Sequence, residues 1–328
     1  MIRHAFATLT LALTAGLCSS PAFAQSPPNT VALQPAPDIP GVIAGGTMPE
    51  VVVKGLTSSD DPMWIEGIGL IFSESQANRI VRLDEHDQPV TFIGGLLNPL
   101  GMTFDSKGQL ISLQTRPGST GPRIVWPMGK EKIVADKYDG KNFGRPNDIV
   151  ADLKGGVYFT DIPPDRTILP PAVYYVPSGG APIRVAEGIT TPNGLQLSHD
   201  EKTLYVNDTG GINVYAFDVQ PDGKLANRRV FATYKGRDQM VAPNAPPLSR
   251  ADGLVTDNDG RLYALTESGI EVIGTKGEHL GIIPIWCITR RCQNLSFGGP
   301  GKQTLYIAGG GTLIRIAMRS RGFQGRAK

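Results

Sequence analysis

Histidine and cysteine are scarce in this chain, four and three in 328 residues. No G-x-S-x-G stretch occurs, and so few histidines place no Ser-His-Asp triad. Thiol-rich metal sites are excluded on similar grounds, because Cys287 and Cys292 have no histidine or third cysteine close by. An excess of one charge is also missing: 32 basic residues face 30 acidic ones. That balance gives no electrostatic reason to expect nucleic acid or an anionic membrane as a partner. Beyond the N-terminus, no apolar run approaches the about 20 residues that span a bilayer.

The first residues, MIRHAFATLTLALTAGLCSSPAFA, carry Arg3, a short apolar run and the small-residue pattern Ala22-Phe23-Ala24. This predicts a signal peptide over 1–24, cleaved near Gln25, and a periplasmic or secreted protein with no membrane attachment after cleavage. Residues 25–49 are rich in Pro, Gly and Ala, a leader expected outside the fold or draped over it. The folded domain is expected over 50–328. In an oxidising compartment Cys287 and Cys292 are either joined by a short-loop disulfide or left as two buried thiols. The arginines near the C-terminus, Arg315, Arg319, Arg321 and Arg326, read as a solvated tail. His86 and His199 sit in polar turns and His279 lies in KGEHLG; all three are expected to be solvated.

What the chain has in abundance is glycine (40) and proline (27), with short alternating runs between them, which marks an all-β protein. The runs repeat. Asn147 opens N-D-I-V-A-D-L-K-G-G-V-Y and Asp252 opens D-G-L-V-T-D-N-D-G-R-L-Y, with Asp and Gly at matching offsets. Leu100, Asn193 and Asn294 open further copies, and Glu66 opens a shortened one, E-G-I-G-L-I-F. Six antiparallel units with periods near 40 residues predict a six-bladed β-propeller rather than a β-sandwich. The strand EVVVKG is expected to pair into the last blade and remove an open edge.

In such a ring the residue heading each innermost strand points toward the axis. The heads are Glu66, Leu100, Asn147, Asn193, Asp252 and Asn294, mostly carboxylate and amide oxygens, a set suited to Ca²⁺ or another hard divalent cation. Taken singly, Asn193-Gly194 and Asp252-Gly253 read as turn dipeptides; the common register argues for the axis. Asp161 and Asp208 end second strands beside the heads, as mouth residues or turn caps. The connection over 232–250 could lie over the channel as a lid.

The ordered set EG, RPND, TPNG, ADG and NLSFGG…TLYIAG resembles the gluconolactonase/regucalcin (senescence marker protein) family of six-bladed, calcium-dependent hydrolases. The resemblance implies a lactonase acting on a sugar or small hydroxy-acid lactone. It implies Glu66, Asn147, Asn193 and Asp252 at the metal, with Asp252 taking a proton from water, and Arg145, Asn147 and Asp148 at the substrate. Two departures bear on specificity. Ile68 stands where the family commonly has proline, and DIPPDRTILPPA lacks the regucalcin-type acidic loop. The alternative is a non-catalytic binding propeller with structural Ca²⁺.

Overall fold

The repeated Asp and Gly build tight hairpin turns. Asp105 Oδ1 accepts the N–H groups of Lys107 and Gln109 at 2.9 and 2.8 Å, and Asp257 Oδ1 accepts those of Asp259 and Arg261, both at 3.0 Å. The glycine three residues on, Gly108 or Gly260, has φ +73° or +83°, where a side chain would strain the backbone. Each such turn joins the first two strands of a unit and holds them antiparallel.

A computed structural model describes residues 33–236, 246–287 and 291–325. Six four-stranded antiparallel sheets form. Their innermost strands are Asp60–Ile65, Pro99–Phe104, Pro146–Ala151, Pro192–Leu197, Leu254–Thr256 and Asn294–Gly298, heading blades one to six. Each neighbours the next, and Asn294–Gly298 lies against Asp60–Ile65, so the ring closes. Three of these strands begin with proline, where the missing N–H breaks no ladder bond.

No blade could bury both faces alone. Blades three and four share one cluster, in which Val150, Tyr158 and Val173 pack on Leu195, Leu204 and Val206. The strand Glu50–Val53 pairs antiparallel with Thr312–Ala317, completing blade six from the N-terminal side as its sequence predicts. Arg315 there bonds both Glu50 oxygens, at 2.8 and 2.9 Å, and Asp87 at 2.8 Å. It belongs to the closure rather than to a solvated tail, and Arg319 likewise pairs with Asp38 at 3.1 Å.

The signal peptide and residues 25–32 of the leader lie outside the described residues, as do Arg326 and residues 237–245 of the expected lid. The rest of the leader drapes over blades five and six: Ala36, Ile39, Val42 and Ile43 are buried with Val255, Leu265 and Leu295. Val42 O accepts the N–H groups of Arg319 and Ser320 at 2.9 and 3.1 Å. Cys287 and Cys292 are joined by a disulfide.

The hairpin-turn end of the ring is covered by the C-terminal segment. Gly322 bridges to Asp257, Lys302 Nζ donates to Phe323 O at 2.7 Å, and the Phe323 ring stacks on His199 at 3.9 Å. His199 is therefore half-buried against the tail rather than solvated. His86 is exposed, whereas His279 is partly covered beside Glu271.

Candidate functional site

The opposite mouth holds the strand heads. Asn147, Asn193, Asp252 and Asn294 all lie there, at or beside the start of an inner strand. Glu66 does not. It occupies the turn between Asp60–Ile65 and Gly69–Glu74, is exposed, and acts electrostatically on Lys302 in the blade-six turn. That is the far mouth, so Glu66 cannot join the other heads. The misplacement has a visible cause: Glu66 occupies the turn-acid position that Asp152 fills in blade three. Counting back five residues, as from Asp152 to Asn147, lands on Asp61.

Blade one presents the pair Asp60-Asp61 at the correct end. Asp60 Oδ2 accepts from Gln293 Nε2 of blade six at 3.2 Å. Asp61 is fully buried, and its Oδ2 accepts the N–H of Met102 on the inner strand of blade two. Asp148 repeats that arrangement. Its Oδ1 accepts the N–H of Ile149 at 2.8 Å and its Oδ2 that of Leu195 in blade four at 3.3 Å. Both carboxylates thus clamp one inner strand to the next, and Asp148 faces the blade seam rather than the open mouth.

The glycines after the heads are not turn residues. A β-carbon on Gly194 would lie 2.1 Å from Asp252 O, and one on Gly253 would lie 2.2 Å from Asn294 Oδ1. Adjacent inner strands converge so closely here that no side chain fits between them.

Loops leading into the inner strands are capped from the second strands. Asp161 accepts the N–H of Gly144 at 3.0 Å and of Arg145 at 2.6 Å. Burial nevertheless pushes its carboxyl above the ordinary range, against the pull of these N–H groups. Asp208 caps Thr191 and Gly210 at 2.9 and 3.1 Å. Of the two roles open to them, turn-capping is the one realised. Through Asp161 the guanidinium-bearing Arg145 gains a fixed backbone at the mouth, ahead of Pro146.

Asp252 is buried, and its carboxyl is raised from the ordinary 3.8 to about 7. Burial is the main cause. The Arg291 guanidinium pulls the other way, Asp148 adds to the rise, and Arg145 and a hydrogen bond from Asn193 lower it again. Asn193 Nδ2 also donates to Thr209 Oγ1 at 3.0 Å, while its Oδ1 is a buried acceptor with no hydrogen-bond partner. A buried carboxylate and an orphaned amide oxygen side by side carry a desolvation cost that a cation would relieve. Among the described residues, no three His, Cys, Asp or Glu side chains form a metal cluster, so amide oxygens would have to take part.

Sequence reasoning missed Asp60, Asp61 and Arg291. The first two could be found by counting back from the turn acid. Arg291 carries no repeat signal; it precedes the inner strand of blade six and acts electrostatically on Asp252 at the head of blade five.

Comparisons with known proteins agree with this ring. A gluconolactonase of Zymomonas mobilis is 28% identical over 321 residues, covering 88% of this chain and 86% of its own. The lactonase drp35 of Staphylococcus saprophyticus is 41% identical over 121 residues, 37% of this chain and 33% of its own. Among solved structures, a gluconolactonase of Xanthomonas campestris superposes with a TM-score of 0.71 at 26% identity, over 87% of this chain and 97% of that one. The calcium-binding protein regucalcin of Agrobacterium tumefaciens, at 14% identity and a TM-score of 0.65 over 84% of this chain and 95% of that one, shares the fold. The family profile described as "SMP-30/Gluconolactonase/LRE-like region" matches residues 59–310, from the strand Asp60–Ile65 of blade one through Thr304–Gly309 of blade six. With that match spanning most of its length, the chain belongs to the SMP-30/gluconolactonase/LRE-like family of lactonase-type hydrolases.

Proposed function

We propose that the protein hydrolyses a lactone of a sugar or another small hydroxy acid at the mouth bearing Asp252. The observation that carries this reading is the pairing of a buried carboxylate with the partnerless Oδ1 of Asn193 at one end of a channel whose other end is covered by the tail. The names of the relatives, gluconolactonase and lactonase, fit the same chemistry.

The residues suit a hard divalent cation, calcium by the nature of the donors, held by Asn193, Asp252 and Asp60 with Asn147 beside them. When bound it would polarise the ester carbonyl and stabilise the negative charge that develops there. Asp252 accepts the proton of the attacking water. The water oxygen bonds to the carbonyl carbon, the ring C–O bond breaks, and the proton passes to the departing ring oxygen. Arg145 and Asn147 orient the substrate from blade three. Asp148, buried in the seam, keeps Asn147 and Asn193 in register.

The reading is tested with a panel of lactones, neutral and charged, following proton release with added Ca²⁺ and with chelator. Calcium-dependent release on at least one hydroxy-acid lactone is expected. Silence across the panel, from protein that binds the ion normally, would leave the non-catalytic binding propeller as the better account.

The corrected ring makes a second expectation. Asp60→Asn should weaken Ca²⁺ binding by about tenfold or more, as loss of one charged ligand does, while Glu66→Gln leaves it unchanged. Calorimetric titration of both variants checks this, and the opposite order would restore Glu66 to the site.

A further inference from the structure

The second strand of blade four, Thr203–Asp208, ends beside the loop that carries Asp252. Asn207 and Thr209, two residues apart, both reach that loop, whereas Asp208 between them caps Thr191 of its own blade at 2.9 Å. Asn207 Nδ2 donates to Asp252 O at 2.6 Å, and Thr209 Oγ1 donates to Ala251 O. One strand end thus holds two consecutive carbonyls of blade five.

Thr209 meets a second partner. Asn193 Nδ2 donates to its Oγ1 at 3.0 Å. A hydroxyl has a single proton, and a backbone carbonyl can only accept. The Thr209 proton is therefore committed to Ala251 O, and toward Asn193 the hydroxyl can act only as an acceptor. The amide must face it with nitrogen. Its oxygen is turned the other way, and that Oδ1 is the buried acceptor left without a hydrogen-bond partner. Reversing the amide would bring two oxygens together over one proton already in use.

The surroundings hold this arrangement in place. Thr209 N donates to Thr191 O at 3.0 Å, two residues before Asn193. Asn207 is set by the same logic as Asn193: Tyr234 Oη donates to its Oδ1, which leaves Nδ2 for Asp252 O. Asn207, Tyr234 and Ala251 are all fully buried. Bonding Ala251 O would suffice to tie the two blades together. The bond from Asn193 adds something else, a choice of which end of an amide is offered to a ligand.

Resting on the cation-assisted lactonase reading above, we infer that Thr209 is a positioning residue for Asn193. By giving its proton to Ala251 O, it fixes the amide with oxygen rather than nitrogen presented to a divalent cation. In the reversed sense the amide would set N–H groups against the ion.

The test compares Thr209→Val, which keeps the shape and loses the hydroxyl, with Thr209→Ser, which keeps the hydroxyl. Calorimetric titration of Ca²⁺ should show valine weakening the affinity about tenfold to a hundredfold, the scale for removing a group that orients a metal ligand. Serine should stay close to wild type. In an Asn193→Ala background the same valine substitution should change the affinity by about twofold at most, because the hydroxyl acts through that amide alone. A residue that only joined the blades would lower the denaturant midpoint in chelator and leave the Ca²⁺ affinity of the folded protein untouched. Should valine prevent folding, Thr209→Ala reads the same loss. Unchanged affinity in Thr209→Val, serine as weak as valine, or an undiminished loss in the Asn193→Ala background would overturn the inference, and Ca²⁺-dependent lactone hydrolysis by wild type would still stand. If the affinities followed the expected pattern while no lactone was hydrolysed, the lactonase reading would fall and the role of Thr209 at the cation site would remain.

Discussion

Asp252→Asn is expected to lower kcat/KM for lactone hydrolysis by about a hundred- to ten-thousand-fold, the range for losing a positioned proton acceptor. The amide keeps the shape of the side chain and an oxygen toward the channel, but it cannot take a proton and carries no charge for a cation. The same substitution should act oppositely on the metal-free fold. The Asp252 carboxyl is raised to about 7 from 3.8 by burial. As pH climbs between those values, the unfolded chain releases this proton while the folded chain retains it. The contribution of Asp252 to stability is therefore greatest at low pH and is lost progressively up to about pH 7. In chelator, wild type should lose stability relative to Asp252→Asn over that window, as read from denaturant midpoints at several pH values. Added Ca²⁺ should reverse the order by binding the folded wild type preferentially. Retained hydrolysis in a variant that no longer binds the ion would remove the enzymatic role assigned to this residue.

Much of the ring could be read directly from spacing. Asp105 with Gly108 and Asp257 with Gly260 announce turns because a carboxylate capping its own loop and a positive φ are local requirements. The strand EVVVKG could be assigned to the last blade because a propeller needs its open edge closed. Glu66 was misplaced for a related reason. Letters matched, but the residue belongs to the turn, and a turn lies at the end of the strand opposite its head. The glycines of Asn193-Gly194 and Asp252-Gly253 look like turn formers in one dimension, whereas their cause is the approach of a neighbouring blade. Contacts of this kind join residues distant in sequence. The stacking of His199 on Phe323 is of the same sort, and no local pattern encodes it.

The closeness of the blades yields the largest expected effect on stability. Gly194→Ala would set a β-carbon 2.1 Å from Asp252 O and 3.0 Å from the carbon of that carbonyl. Backbone can relieve such a clash only by moving, and this backbone is tied on several sides. Asp252 N donates to Leu265 O at 2.9 Å, Gly253 N to Gln293 O at 2.8 Å, and Asn207 Nδ2 to Asp252 O at 2.6 Å. Overpacking a rigid seam costs about 3 kcal/mol, and whatever movement does occur displaces Asp252 and Asn193 together. Gly67→Ala supplies the control. Gly67 has φ +78° but nothing within 4 Å of the place a β-carbon would take, so that substitution carries only the left-handed backbone strain, about 1 kcal/mol. Urea unfolding of the two variants separates crowding from backbone strain, and equal losses would mean that the inner strands of blades four and five do not meet as described. Should Gly194→Ala fold at low temperature, its activity should fall further than its stability predicts, because the residue that keeps two blades close also sets the distance between the two side chains at the centre of the site.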